Sequence, residues 1–137
     1  MRIVLDTNVL VGGLRSPYHR PARVLGLLLS KAARLCYDPR TLSEYREVLL
    51  RPKFAFPPDR VGAVIDFLEQ SGELVTAKPW QLALPHPDDA VFLEVAAAAQ
   101  ADHLVTGNLR HFPVRSRGGI SVVSPAELLS STDFQSG

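Results

Sequence analysis

The chain has 137 residues, 46% of them hydrophobic and 21% charged, with a formal net charge of +1 and a single cysteine. That length supports one domain with a real core, and so small a net charge neither demands nor excludes a nucleic-acid partner. No apolar run approaches the roughly 18 residues of a membrane span, and Cys36 alone builds neither a disulfide framework nor a thiolate metal site.

In chain order, Arg2–Leu5 reads as a buried strand that ends in Asp6-Thr7-Asn8. Its start, one arginine and a short strand-like run, does not follow the plan of a signal peptide, so a reduced, cytoplasmic setting is expected. Helical patterning follows at Pro21–Ala33, a strand at Arg34–Tyr37, and helices at Arg40–Leu50 and Asp59–Gln70. A strand at Glu73–Thr76 leads into KPWQLALPHPDD, where Pro79, Pro85 and Pro87 predict an extended connector long enough to be a functional loop. A helix at Asp89–Gln100 and strands at His103–Thr106 and Ile120–Val123 come next. Ser124 caps a short last helix at Pro125–Ser130. Alternating apolar strands and helices predict an α/β, three-layer α/β/α sandwich with a parallel sheet of about five strands. One domain spans residues 1–131, and residues 132–137 form a flexible tail.

The chemistry-bearing residues gather where strands end, the place where open parallel sheets bind ligands. Asp6 either turns the chain and caps a helix or shares a cation with other acids. In LSEYREVLL, Leu42, Tyr45, Val48 and Leu49 make a buried stripe; Glu44 borders it and Glu47 points away into solvent. Asp88 and Asp89 open a helix, and one acid is enough to cap it; the second adds repulsion that a cation would relieve. Thr106-Gly107-Asn108 brings a hydroxyl and an amide to the end of another strand, either to cap a turn or to hold a metal-bound water or a phosphate. Oxygen donors without cysteine, and histidines without ligand spacing, suit Mg²⁺ or Mn²⁺ rather than zinc.

With these residues in place, the sequence resembles the PIN-domain family of metal-dependent ribonucleases, and more narrowly the toxins of prokaryotic type II toxin–antitoxin pairs. The resemblance rests on IVLDTNVLV, SEYREVL, HPDDAVFLEVAAAAQADHLVTGN and ISVVSPAELL, in this order, from Met1 to about Leu129. It implies that Asp6, Glu44 and Asp89 are the catalytic and metal-holding acids, with Asp88 a further contributor. A fourth acid common in the family is replaced here by Asn108 and His111, which implies weaker metal affinity and leaves one or two ions open. The resemblance also implies an RNA substrate, a cognate antitoxin and a homodimer; the apolar stretch at residues 24–29 is either core or interface.

Positive charge flanks the acids. LRSPYHRPAR carries Arg15, Arg20 and Arg23 with Tyr18 and His19, and NLRHFPVRSRGG carries Arg110, Arg115 and Arg117. Such interleaving suits a single-stranded RNA backbone, although solvated loop charges have the same look. Asn8, Arg15, Thr106, Asn108 and Arg110 are the expected substrate contacts. Two rivals remain. A catalytically weak or inactive RNA- or protein-binding module fits the missing fourth acid. Phosphotransfer through an aspartyl intermediate fits poorly, because Asn8 stands where a second acid belongs and no lysine lies near the later acids.

Overall fold

The computed structural model describes residues 1–131; the expected tail, 132–137, lies outside the described residues. Five strands form one parallel sheet: β1 (Arg2–Leu5), β2 (Arg34–Tyr37), β3 (Glu73–Leu74), β4 (His103–Val105) and β5 (Val122–Val123). Six α-helices join them: α1 (Thr7–Arg15), α2 (Arg20–Leu29), α3 (Pro39–Leu49), α4 (Pro58–Ser71), α5 (Ala90–Ala99) and α6 (Pro125–Leu129). Strand order is β3-β2-β1-β4-β5. The chain therefore builds outward from β1 to β3, then crosses back to β4 and β5. Helix α5 packs on β1, β2 and β4, while α1–α4 pack on one another, so helices flank the sheet as expected.

The core forms where the apolar periodicities say it should. Ile3, Val4 and Leu5 are fully buried, as strands covered on both faces must be. Leu42, Tyr45 and Leu49 turn inward from α3, and Val61, Ile65 and Leu68 from α4, at three- and four-residue spacings. Helix α5 buries Phe92, Leu93, Val95, Ala96 and Ala99 against the central strands. From the 24–29 stretch, Val24, Leu25 and Leu28 are core while Leu29 is exposed. Among the described residues no helix is long and apolar enough to cross a membrane.

The structure departs from the sequence reading in several places. Helix α1 is not evident in the sequence, because Gly12 and Gly13 lower helix propensity and mimic a loop. Here they permit close helix packing: a Cβ on Gly12 would stand 3.0 Å from Pro21 Cβ on α2. Helix α2 stops at Leu29 rather than Ala33, with Lys31 in the left-handed region (φ 65°) turning the chain. Strand β3 ends at Leu74, since only Val75 N still bonds to Tyr37 O before the chain leaves the sheet. Asp89 does not begin α5; a 3₁₀ turn over Pro87–Asp89 precedes it.

Candidate active site

The sheet's order reverses between β1 and β4, the switch point at which doubly wound sheets open a crevice. The register Leu5↔Val105 makes Asp6 and Thr106 the next residues on the two strands. Asp6 N donates to Val105 O (2.9 Å), and Thr106 Oγ1 donates to Asp6 Oδ2 (2.9 Å). Both residues are buried, Asp6 at 6% exposure and Thr106 at 0%. Asp6 precedes α1 but makes no side-chain cap to it. The turn-and-cap alternative therefore leaves its carboxylate unexplained.

No cation compensates this buried carboxylate among the described residues. Its pKa is pushed up from 3.8 to about 6, first by burial, with the negative charges of Asp89 and Glu44 adding to it; the bonds from Thr106 and Asn8 act the other way. Two distant acids thus lie close enough to act on the first. Glu44 is half-buried and takes a hydrogen bond from the Thr7 hydroxyl, whereas Glu47 is exposed, as their positions on the wheel predict. The Tyr45 hydroxyl, wholly buried, donates to Leu5 O (2.6 Å) and fastens α3 to the end of β1. Burial, with Asp6 and Glu44 beside it, holds the Tyr45 phenol well above its ordinary value.

Asp89 is half-buried and Asp88 exposed, so the two neighbours have different surroundings. Asp89 makes no cap to α5 either. Its Oδ2 lies 3.0 Å from His111 Nδ1 but lacks a donor in good hydrogen-bond alignment. Burial raises the Asp89 pKa, while His111 and His86 pull it down. The His111 ring sits 4.1 Å from that of His86, and its Nε2 lies 2.8 Å from Asn108 Nδ2. The ring thus bridges the Asn108 amide and the Asp89 carboxylate through its two nitrogens. The two residues at the usual fourth-acid positions thus form a pair that leans on the third acid, an arrangement that spacing alone did not reveal. Among the described residues no three Asp, Glu, His or Cys side chains already close around one point. The donor set still fits a hard ion: three carboxylates, one with an orphaned buried oxygen, beside hydroxyl and amide oxygens.

The expected substrate contacts fall in separate places. Asn8 Oδ1 accepts from Gly107 N (3.0 Å), tying the start of α1 to the loop after β4. Asn108 N donates to Thr106 Oγ1 (3.0 Å). Arg110 is exposed. The basic stretch after α1 divides in two. Arg15 lines a groove with Thr7 and Asn8, whereas Tyr18, His19, Arg20 and Arg23 line another with Gly107 and Ser124–Ala126. In the second loop Arg117 serves the fold, donating to Phe112 O (2.7 Å).

Comparisons with known proteins bear on the family and the fold. A model of the PIN domain matches residues 2–110. Comparison with curated proteins gives no match. Among solved structures, a chain from VapBC2 of Rickettsia felis, bound to a DNA fragment from their promoter, is similar with a TM-score of 0.62 and 17% identity. The likeness covers 90% of this chain and 98% of that one. A chain from FitAB bound to an IR36 DNA fragment is similar with a TM-score of 0.61 and 18% identity, over 90% of this chain and 94% of that one. At such identities the likeness is one of fold.

Proposed function

The chain belongs to the PIN-domain family, and on that premise we propose that it is a Mg²⁺- or Mn²⁺-dependent endoribonuclease, the toxin of a type II toxin–antitoxin pair. The observation that carries this reading is the Asp6 carboxylate, buried at the sheet's switch point with no cation to balance it and two further acids acting on it. An arrangement so unfavourable in isolation is what a cation site requires.

Asp6, Glu44 and Asp89 would hold the metal, with Asp88 as an outer carboxylate. When bound, a divalent ion supplies water activation and charge neutralisation on the phosphate. The chain's own groups do the positioning. The Thr106 hydroxyl holds one Asp6 oxygen, and the Thr7 hydroxyl holds Glu44. His111 orients Asp89 and is oriented by Asn108. Asn8, Asn108, Arg15 and Arg110 contact the RNA backbone, and hydrolysis proceeds by in-line displacement at one phosphodiester.

The partners in this reading are an RNA substrate, a small cognate antitoxin and a second copy of the chain in a homodimer, all in the cytoplasm. They rest on the family; the likeness to chains of VapBC2 and FitAB supports the toxin–antitoxin part of the reading. A second reading, a catalytically inactive RNA- or protein-binding module, is favoured by the Asn108–His111 pair where a fourth acid would add charge. One assay separates them: the full chain is incubated with structured and single-stranded RNAs plus Mn²⁺, Mg²⁺ or EDTA. Metal-dependent cleavage that disappears in Asp89→Asn supports the enzyme; binding without cleavage under every metal condition supports the module.

A further inference from the structure

Beside the acids, a groove of about 400 Å³ runs between α1 and α3. Thr7, Asn8, Val11 and Arg15 line one side, Val48 and Phe54 the other. Phe54 lies in a 3₁₀ turn over Pro52–Phe54 and is half-buried, stacked on Phe56 with ring centroids 5.7 Å apart. Two exposed cations approach its ring, Arg15 at 5.8 Å and Lys53 at 5.1 Å from the centroid. Neither is in an ion pair among the described residues, and no acid lines the groove. The sequence reading singled out Arg15 but gave it aromatic company at Tyr18; the structure supplies Phe54 instead, 39 positions along the chain.

We propose that this groove is a nucleotide subsite for single-stranded RNA: the base packs on the Phe54 ring and the phosphate lies between Arg15 and Lys53. The proposal rests on the ribonuclease reading, since the site takes the nucleotide next to the cleaved bond. Three features select this occupant. The groove is continuous with the acids, because Thr7 holds Glu44 and Asn8 reaches Asp6 Oδ2 at 3.4 Å. It offers positive charge immediately beside the negative cluster, so a strand whose phosphate sits at the acids finds compensation for the next one. An aromatic ring flanked by cations recognises a π-face and a phosphate together, which an unstacked nucleotide presents and a base-paired one does not. A protein segment would use the apolar wall but would leave the two cations unanswered unless it carried acids.

The test measures binding in EDTA, where cleavage plays no part, by fluorescence anisotropy of a labelled mixed-sequence RNA 12-mer with the full-length chain. Phe54→Leu keeps apolar bulk and removes the π-face; it is expected to weaken binding about 10-fold, and Phe54→Tyr to retain it. Lys53→Gln is expected to lower the slope of log Kd against log salt by about 0.7, the increment for one contact with a single strand. A duplex of the same sequence is expected to bind without regard to either substitution. Unchanged RNA affinity in Phe54→Leu overturns the subsite and leaves the groove to a protein partner. No RNA binding by the wild-type chain overturns it as well. Loss of binding in Phe54→Leu while the wild type fails to cleave RNA with Mn²⁺ sustains the subsite and removes the nuclease.

Discussion

Asp6 and Asp38 make a natural pair. They stand at the carboxyl ends of neighbouring strands β1 and β2, each precedes a helix, and each is buried, at 6% and 4% exposure. Their surroundings are opposite. Asp38 accepts from Thr41 N (2.9 Å), its own N–H is taken by the Thr41 hydroxyl, and Arg40 closes on it at 2.7 Å. Arg40 then pairs with Glu94 (2.7 Å), whose other oxygen accepts from Trp80 N (2.8 Å). This network pins the proline-rich connector to α5. Asp6 has hydroxyl and amide neighbours and two carboxylates. The same residue type at equivalent positions thus serves stability in one strand and is held against stability in the next. The far end of the sheet agrees with Asp38: Arg2 bonds Glu73 twice at 2.8 Å and holds its carboxyl below the usual range.

The contrast is sharpest under substitution. Asp6→Asn should lower metal-dependent RNA cleavage by at least about 100-fold, the scale of removing one preorganised electrostatic group. The same change should raise metal-free stability at pH 7 by up to about 3 kcal/mol, the equivalent of a pKa rise from 3.8 to about 6. Urea denaturation of both proteins in EDTA checks it, and a less stable Asp6→Asn would break the comparison.

The pH dependence follows with a definite sign. The folded protein holds the Asp6 proton more tightly than the unfolded chain does. Without metal, the Asp6 contribution to stability is therefore fully present below about pH 4 and is lost as pH rises through about 6. Asp89, also raised, contributes in the same direction. Asp6→Asn should flatten this slope. Mn²⁺ at 100 times its Kd should restore about 2.7 kcal/mol to the wild type at pH 7 and markedly less to the variant.

For Asp38 the expectation reverses. Asp38→Ala removes a cap and leaves Arg40 with Glu94 alone, and should destabilise by about 1–2 kcal/mol. Thermal unfolding measures it. The smallest effect belongs to Glu47→Gln, whose side chain is exposed and reaches Arg51 at 3.8 Å; stability should stay within about 0.5 kcal/mol and cleavage should be unaltered.

The difference between these aspartates also marks how far the sequence was legible. The order of the strands, the parallel sheet and the border position of Glu44 follow from periodicity, because burial on both faces or one face leaves a pattern in the chain; the ends of β3, β4 and the start of β5 do not. The capping role of Asp38 is legible in Asp-Pro-Arg-Thr, an acid at the cap followed by proline in the first turn. Helix α1 was hidden by Gly12 and Gly13, whose reason lies in Pro21 on another helix. His111 against Asp89 and Phe54 beside Arg15 are contacts made by the fold between remote segments. Only a known register or a homologous pattern could have suggested them.

The Tyr45 hydroxyl on Leu5 O has one more implication. Tyr45 is the chain neighbour of Glu44, and Leu5 is the chain neighbour of Asp6, so this single bond acts as a ruler between the two acids that flank it. A lineage that exchanged the tyrosine for phenylalanine would keep every acid in its motif and yet lose the spacing between them. Inspection of the acids alone would then count as intact a protein whose calibration had drifted.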